Sequence, residues 1–473
     1  MLSSQVNSAE KEEELTQFSW VNSNYSINWK HVPVILGVPV LGAIGACFTT
    51  LHRKTLIWAV IYYFLTGLGI TAGHHRLWCH RTYVASWPLR AFLLCCATAS
   101  IQGSVIWWVE GHRAHHRYTD TNKDPYSVHR GLFWSHIGWL LVIEHDHPKG
   151  KVDISDLTSD PMLVWQDKAF DWFSPICALL FPMLVAGLGW GDWIGGLLYA
   201  GVLRLVFVHH ATFSVNSLAH YLGDQPYDNK SARDSMVTAF ATLGEGYHNF
   251  HHAFPSDYRN AIKWYQYDPT KWTIAIYRLL GLATGLNTFG DNEIQKGMIQ
   301  TTQQRVDAWN AQISWGKPLA DLPVIDMDDY RESAKQKPLV LISGIIYDVT
   351  DWLAKHPGGK SILKAAVGKD ATAMFNGGIY NHSRIARNLL DDMRVGIVRG
   401  GMEVEIYAQK YREVVVSTKG EKLGTLVSET EIDLLSSSDE ECGDNSMSFE
   451  MELPNAANHM KHRAVNMDEP IIS

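Results

Sequence analysis

Four long apolar stretches constrain this chain more than any other feature. They cover about 34–51, 56–73, 173–190 and 193–210, each near the lower end of the ~17–25 residues a bilayer-spanning helix needs. The connections "HRKT" and "GDW" are short enough to pair them as two helical hairpins. The chain is 46% hydrophobic while its mean hydropathy is −0.11, so the apolar residues are gathered in blocks. Eighteen tryptophans suit rings at membrane interfaces. A fifth stretch, 89–107, carries Arg90, Thr98, Ser100, Gln102 and Ser104 and reads as a helix at the interface or inside the protein. The expected fold is mostly α: a membrane protein with four transmembrane helices, a cytosolic histidine-rich helical cap and a small α+β domain behind it.

The polar segments between these blocks are rich in histidine. "HRAHH" holds His112, His115 and His116, and "GEGYHNFHH" repeats the pattern with His248, His251 and His252. Positions i, i+3 and i+4 share one helix face, so each triplet forms a cluster. A lone buried histidine is usually just hydrogen-bonded; two such triplets point instead to metal, since imidazole suits iron, copper, zinc and nickel. "HRLWCH" adds His75 and His80, and "NSLAH" adds Asn216 and His220, the amide ligating directly or through water. The set is too large for one ion and suits two. With four spans these residues all fall on one side of the membrane. A fifth span at 89–107 would separate them.

That side is expected to be cytosolic, together with both termini, because the long Lys- and Arg-bearing loops lie there; Arg53 and Lys54 in "HRKT" run against the rule. "EKEEE" near the start does not resemble a secretory signal. A net charge of −8 gives no sign of nucleic-acid binding. Six cysteines without a Cys-x-x-Cys pair make neither a disulfide framework nor a zinc ribbon.

The last third is different. A first segment 1–30 and a membrane domain 31–290 are followed by a polar linker, 291–321. "KPLVLISGIIYDVTDWL" then reads as two strands about a Ser343–Gly344 turn. "KHPGGKS" and "YNHS" follow, with His356 and His382 among apolar neighbours. Residues 322–401 resemble a cytochrome b5 domain, in which these two histidines would be the axial ligands of haem b. Two histidines fill both axial positions, so such a haem passes electrons and does not bind oxygen. Residues 402–473 are acidic and serine-rich around "SETEIDLLSSSDEECGD", which reads as a disordered solvating tail. Ser436–Ser438 before Asp439–Glu441 would also suit an acid-directed kinase.

A one-electron carrier fused to a two-metal centre at a membrane suits reductive activation of dioxygen against an unactivated methylene. From about 32 to 290 the chain resembles the membrane stearoyl-CoA desaturases, with "HRLWCH", "HRAHH" and "HNFHH" as their three histidine boxes, and the C-terminal b5 fusion resembles the fungal delta-9 acyl-CoA desaturases. The resemblance implies two irons held by His75, His80, His112, His115, His116, His220, His248, His251 and His252, with Asn216 linked through water. His74 stands where the animal enzymes have a small residue and is read as a non-ligand. It further implies an acyl-CoA substrate (palmitoyl or stearoyl), O2, a cis-9 product, and electrons from NADH through cytochrome b5 reductase at the endoplasmic reticulum membrane. Gln102, Trp108 and Thr212 would line a bent acyl tunnel, Tyr63 and Gly67 would close its far end, and Arg130 would hold CoA phosphate. A membrane fatty-acid or sterol hydroxylase with a b5 domain, and a non-catalytic haem- and metal-binding membrane protein, are the competing readings. A front-end desaturase fits less well, since those enzymes carry b5 at the N-terminus and usually glutamine where His248 stands.

Overall fold

The computed structural model describes residues 24–145, 150–377 and 381–401; the tail read at 402–473 and most of the segment 1–30 lie outside them. The chain divides into two compact units, Met1–Ile313 and Ser314–Ser473.

In the first unit, α1 (Pro33–Phe48), α2 (Arg53–Cys79) and α3 (Trp87–Thr98) lead to α4 (Val105–Tyr118). Helices α5 (Pro161–Trp190) and α6 (Trp193–His220) form the second hairpin. Short α7 (His248–Ala253), then α8 (Pro269–Leu279) and α9 (Asp291–Gln312), complete the unit. Only α2, α5 and α6, among the described residues, are long and apolar enough to cross a membrane. Of the four expected spans, the first is a shorter helix of about 24 Å at ~1.5 Å per residue. The stretch 89–107 holds the twelve-residue α3, which ends at Thr98. Its Leu89, Leu93 and Leu94 are buried against Ala72 and Trp78 of α2.

Helices α2 and α6 overrun the expected ends 73 and 210. The last part of α2 is wound as a π-helix from Gly69 to Cys79, a form that often marks functional positions, and it delivers His74 and His75. Gly69 makes that passage possible: a Cβ there would lie 2.3 Å from the backbone nitrogen of Ala97 in α3. At the opposite end, the α5–α6 turn rests on Gly191 in the left-handed conformation (φ 82°). Asp192 caps α6 by accepting from the Gly195 N–H at 3.0 Å and also receives the Thr55 hydroxyl from the start of α2. The two hairpin turns therefore meet at one end and the histidines gather at the other. Helix α1 runs between these ends: strand β1 (Tyr25–Ile27) before it pairs with β3 (Val142–Glu144), and Thr49 after it receives the Tyr199 hydroxyl of α6. A second ribbon joins β2 (Val84–Ala85) to β4 (Ala283–Thr284).

The outer faces of the bundle are apolar. Val40, Leu41, Ile44 and Phe48 of α1, Ile57 and Ile61 of α2, and Leu188 and Phe207 of the second hairpin are exposed, a surface that suits hydrocarbon rather than water. Inside, Arg204 is 2% exposed. Its guanidinium donates to the carbonyls of Ala99, Ala178 and Ala200 at 2.8–3.1 Å and lies 4.8 Å above the Tyr62 ring. One cation thus ties four helical segments, its donors satisfied by carbonyl oxygens as burial requires.

The second unit is a small sheet with helices around it. Its order is β5-β8-β7-β6, from β5 (Val324–Ile325), β6 (Leu339–Ile342), β7 (Ile345–Asp348) and β8 (Arg394–Val398). The β6–β7 turn is the Ser343–Gly344 pair, both at positive φ (51° and 79°), the twist a two-residue hairpin needs. Val340, Ile342, Ile345, Tyr347, Phe375 and Ile397 form its core. Helices α10 (Met327–Gln336), α11 (Lys360–Ala366), α12 (Thr372–Phe375) and α13 (Arg384–Asp391) surround it.

Candidate metal centre

The nine histidines from four separated segments meet in two groups. One holds His75, His80, His112, His116 and His251, the other His115, His220, His248 and His252, with the ligand-capable atoms of each group within 4.8 Å of one another. The i, i+3, i+4 spacing sends His112 and His116 to the first group and His115 to the second, and likewise splits His251 from His248 and His252.

The ring nitrogens are disposed as ligands are. The Nε2 atoms of His75 and His251, His251 and His116, His116 and His112, and His248 and His252 lie 2.9, 3.0, 3.1 and 3.0 Å apart. Bonds of about 2.1 Å to a shared ion put neighbouring ligand atoms of an octahedron about 3.0 Å apart, so the spacing fits. His80 Nε2, His115 Nε2 and His220 Nε2 are buried with no partner among the described residues, which leaves their lone pairs for such an ion. Burial, then the neighbouring imidazoles, push His80, His112, His116, His248, His251 and His252 well below the ordinary histidine range. They are neutral, the state that ligates.

Partners behind the rings fix the tautomers. His75 Nδ1 donates to Glu245 Oε2 at 2.9 Å, His115 Nδ1 to Asp124 Oδ1 at 2.9 Å, and His220 Nδ1 lies 2.8 Å from Ser231 Oγ. His112 Nδ1 lies 3.2 Å from the Tyr126 hydroxyl, and the Tyr126 ring is 4.6 Å from that of His115, so this one phenol touches both groups. Glu245 is held further by Arg76 (2.8 Å), which Asp268 grips from the other side with both oxygens, and by Asn260 at 2.6 Å. Burial alone would raise the Glu245 carboxyl, but Arg76 and His75 outweigh it and hold it near 2. These supporting residues did not emerge from the sequence. The available signals were Glu245 inside "GEGYHNFHH" and Arg76 as a cation in an apolar block.

His74 belongs to neither group. It is fully buried and stacks on Trp108, which stacks in turn on His112 (5.4 and 4.8 Å between ring centroids).

A cavity of about 940 Å³ runs beside the first group, with His75 and His112 in its wall. Gln102, Trp108, Thr212 and Asn216 line it, and Gln102 Nε2 donates to Thr212 Oγ1 at 3.0 Å. Gly67 lines it beside Leu243, whose Cδ1 would stand 2.1 Å from a Cβ added to Gly67. Tyr63, one turn further along α2, is not among the lining residues. Arg130 also lines it, where Glu144 holds it at 2.8 Å over the Trp134 ring at 3.5 Å, which leaves its guanidinium committed to the protein.

In the second unit His356 and His382 face each other with ring centroids 6.2 Å apart. Metal–nitrogen bonds of about 2 Å on either side of one ion, plus the ring radii, account for that gap. His382 Nδ1 donates to the Phe375 carbonyl at 3.1 Å, and Phe375 stacks on the ring at 4.3 Å.

Fold and sites together describe a bundle with three helices of membrane-crossing length and two histidine groups able to hold metal, followed by a small domain with a facing histidine pair, and comparison with known proteins makes the class specific. Residues 54–277 match the Fatty acid desaturase family and residues 326–399 the Cytochrome b5-like Heme/Steroid binding domain. The chain is 53% identical over 391 residues to "Probable acyl-CoA desaturase" of Schizosaccharomyces pombe, covering 82% of this chain and 81% of that one. It is 45% identical over 401 residues to "Acyl-CoA desaturase 1" of Saccharomyces cerevisiae (82% and 79%), and 39% identical over 262 residues to "Stearoyl-CoA desaturase 2" of Mus musculus (54% and 73%). The chain belongs to the acyl-CoA desaturase family of oxidoreductases, with a C-terminal cytochrome b5 domain.

Proposed function

We propose that this protein is an O2-dependent delta-9 acyl-CoA desaturase that places a cis double bond in palmitoyl- or stearoyl-CoA. Two irons would be held by the two histidine groups, with Asn216 linked through water, and haem b by His356 and His382. Bound there, two irons would supply, with O2, an oxidant strong enough to take hydrogen from a methylene, and haem b would supply one-electron transfer from NADH by way of cytochrome b5 reductase. The chain's own residues prepare that chemistry. Glu245 and Asp124 hold His75 and His115 with their Nε2 lone pairs toward the ions. Trp108, Gln102 and Thr212 give the acyl chain a wall beside His112, and Leu243 with Gly67 stops it.

The observation that carries this reading is the meeting of nine imidazoles in two groups beside one acyl-sized cavity. We place the site and both termini on the cytosolic face of the endoplasmic reticulum membrane, with α1 as a short fourth crossing; its exposed apolar face and its run from the histidine end to the turn end support that count. Metal and haem analysis tests the proposal. The purified chain should hold two irons and one haem, and with cytochrome b5 reductase added its oxygen uptake should require both NADH and acyl-CoA. Oxygen uptake indifferent to acyl-CoA would overturn the assignment.

A further inference from the structure

The segments that carry His356 and His382 hold a group of exposed cations. Between Thr350 and Asp392 there are six Lys or Arg residues and four Asp, of which Asp391 pairs with Arg394. Lys355 adjoins His356; Lys360 and Lys364 share a face of α11; Arg384 and Arg387 lie on α13, directly after His382. All five are exposed. Among the described residues none of them makes an ion pair, although Arg387 donates to Asn376 Oδ1 at 2.8 Å. Haem b brings two carboxylates of its own, fewer than these five cations. Ile385, 72% exposed, stands between the two arginines.

The chain carries its own counterpart. Between Leu423 and Met460 there are nine Asp or Glu and no Lys or Arg. In "SETEIDLLSSSDEE", residues 428–441, acids alternate with Ile432, Leu434 and Leu435, which matches a rim of cations with an apolar residue among them. Reach is sufficient. The 28 residues from Gly401 to Glu429 span at most about 95 Å at ~3.4 Å each, well beyond the radius of gyration of about 12 Å of a domain of this size. Tethering by such a chain gives an effective concentration on the order of millimolar, so even a weak charge contact is populated.

We propose that the acidic segment 428–441 docks on this cationic rim and screens the haem crevice from negatively charged electron-transfer partners. Phosphate on Ser436–Ser438 would strengthen the contact by adding charge opposite lysines and arginines. The proposal rests on the haem reading of His356 and His382, and its test separates the two.

The full chain, haem-loaded and in detergent, is treated at low salt with a carbodiimide, which joins carboxylates to amines in direct contact. Mass spectrometry should find Glu429–Glu441 linked to Lys355, Lys360 or Lys364 within one chain. The links should vanish when the six acids at 429, 431, 433, 439, 440 and 441 become amides. Dithionite, an anionic reductant, should reduce the haem on the order of tenfold faster in that amide variant and in a chain ending at Gly401, and high salt should erase the difference. Links to other lysines, links only between two chains, or equal reduction rates at low salt would each overturn the docking. Binding of the rim to anionic lipid vesicles in place of the tail would do the same. A chain that takes up no haem would refute the haem reading instead, while the cross-links still decide the contact.

Discussion

Glu245→Gln is the change that most sharply separates a metal centre from a merely packed histidine core. The substitution keeps shape and removes one charge. Three donors then lose a carboxylate: His75 Nδ1 at 2.9 Å, Arg76 at 2.8 Å and Asn260 at 2.6 Å. Arg76 keeps Asp268 through two contacts of 2.9 and 3.1 Å, so no guanidinium is left unpaired and the fold survives. A charge-assisted bond behind a ligating imidazole is worth about 1.5–3 kcal/mol, which corresponds to the 10- to 100-fold loss of metal affinity expected for such a partner. Iron retention against a graded chelator series measures it. The acid limb of stability carries a second sign. A carboxyl held near 2 stabilises fully above the unfolded value of about 4.5 and ceases to do so as pH falls through 2. Its full contribution is up to about 3 kcal/mol, and the glutamine variant should lose that part of the pH dependence. Unchanged iron retention in a folded Glu245→Gln protein would refute the reasoning.

Other outcomes follow from the same geometry. Gly67→Leu must displace Leu243, whose Cδ1 lies 2.1 Å from the new Cβ position; the ratio of sixteen- to eighteen-carbon products should rise severalfold while haem content stays normal, as gas chromatography would read. Tyr126→Phe removes the hydroxyl 3.2 Å from His112 and should weaken iron retention only several-fold, about 1 kcal/mol. His382→Ala should abolish the haem spectrum and stop turnover, with partial rescue by added free cytochrome b5; full activity without any b5 would remove the fused domain from the electron path. Gly69→Ala sets a methyl 2.3 Å from the Ala97 backbone nitrogen, and backbone cannot yield as a side chain can, so melting temperature and activity should fall together.

Much of the site was legible because the chemistry requires so many residues of one rare type in short spacings. His-x-x-His-His reports its own geometry once a helix is assumed, and the nine histidines named from the sequence are those the fold brings together. The five-and-four division was not legible, since it depends on how α4, α6 and α7 approach each other. Nor were the carboxylates behind the rings: Glu245, Asp124 and Asp268 are single residues whose partners lie 9 to 192 positions away. Helix ends misled for a physical reason. Hydropathy marks where lipid ends, at 73 and 210, whereas α2 and α6 continue as polar helix into the site. Arg130, a candidate for CoA phosphate from the sequence, is held in the fold by Glu144 over the Trp134 ring. Tyr63, placed at the tunnel end by resemblance, is not among the residues that line the cavity, whereas Gly67 and the sequence-distant Leu243 are.

The central claim is the reaction itself, and product analysis in cells tests it most directly. The chain should be expressed in a host whose own desaturase has been removed, beside a His251→Ala control. The account predicts growth without added unsaturated fatty acid, cis-9 sixteen- and eighteen-carbon monoenes in the lipid, and neither in the control, whose haem spectrum stays normal. Hydroxylated fatty acids, a double bond at another carbon, or monoenes that persist in His251→Ala would contradict it.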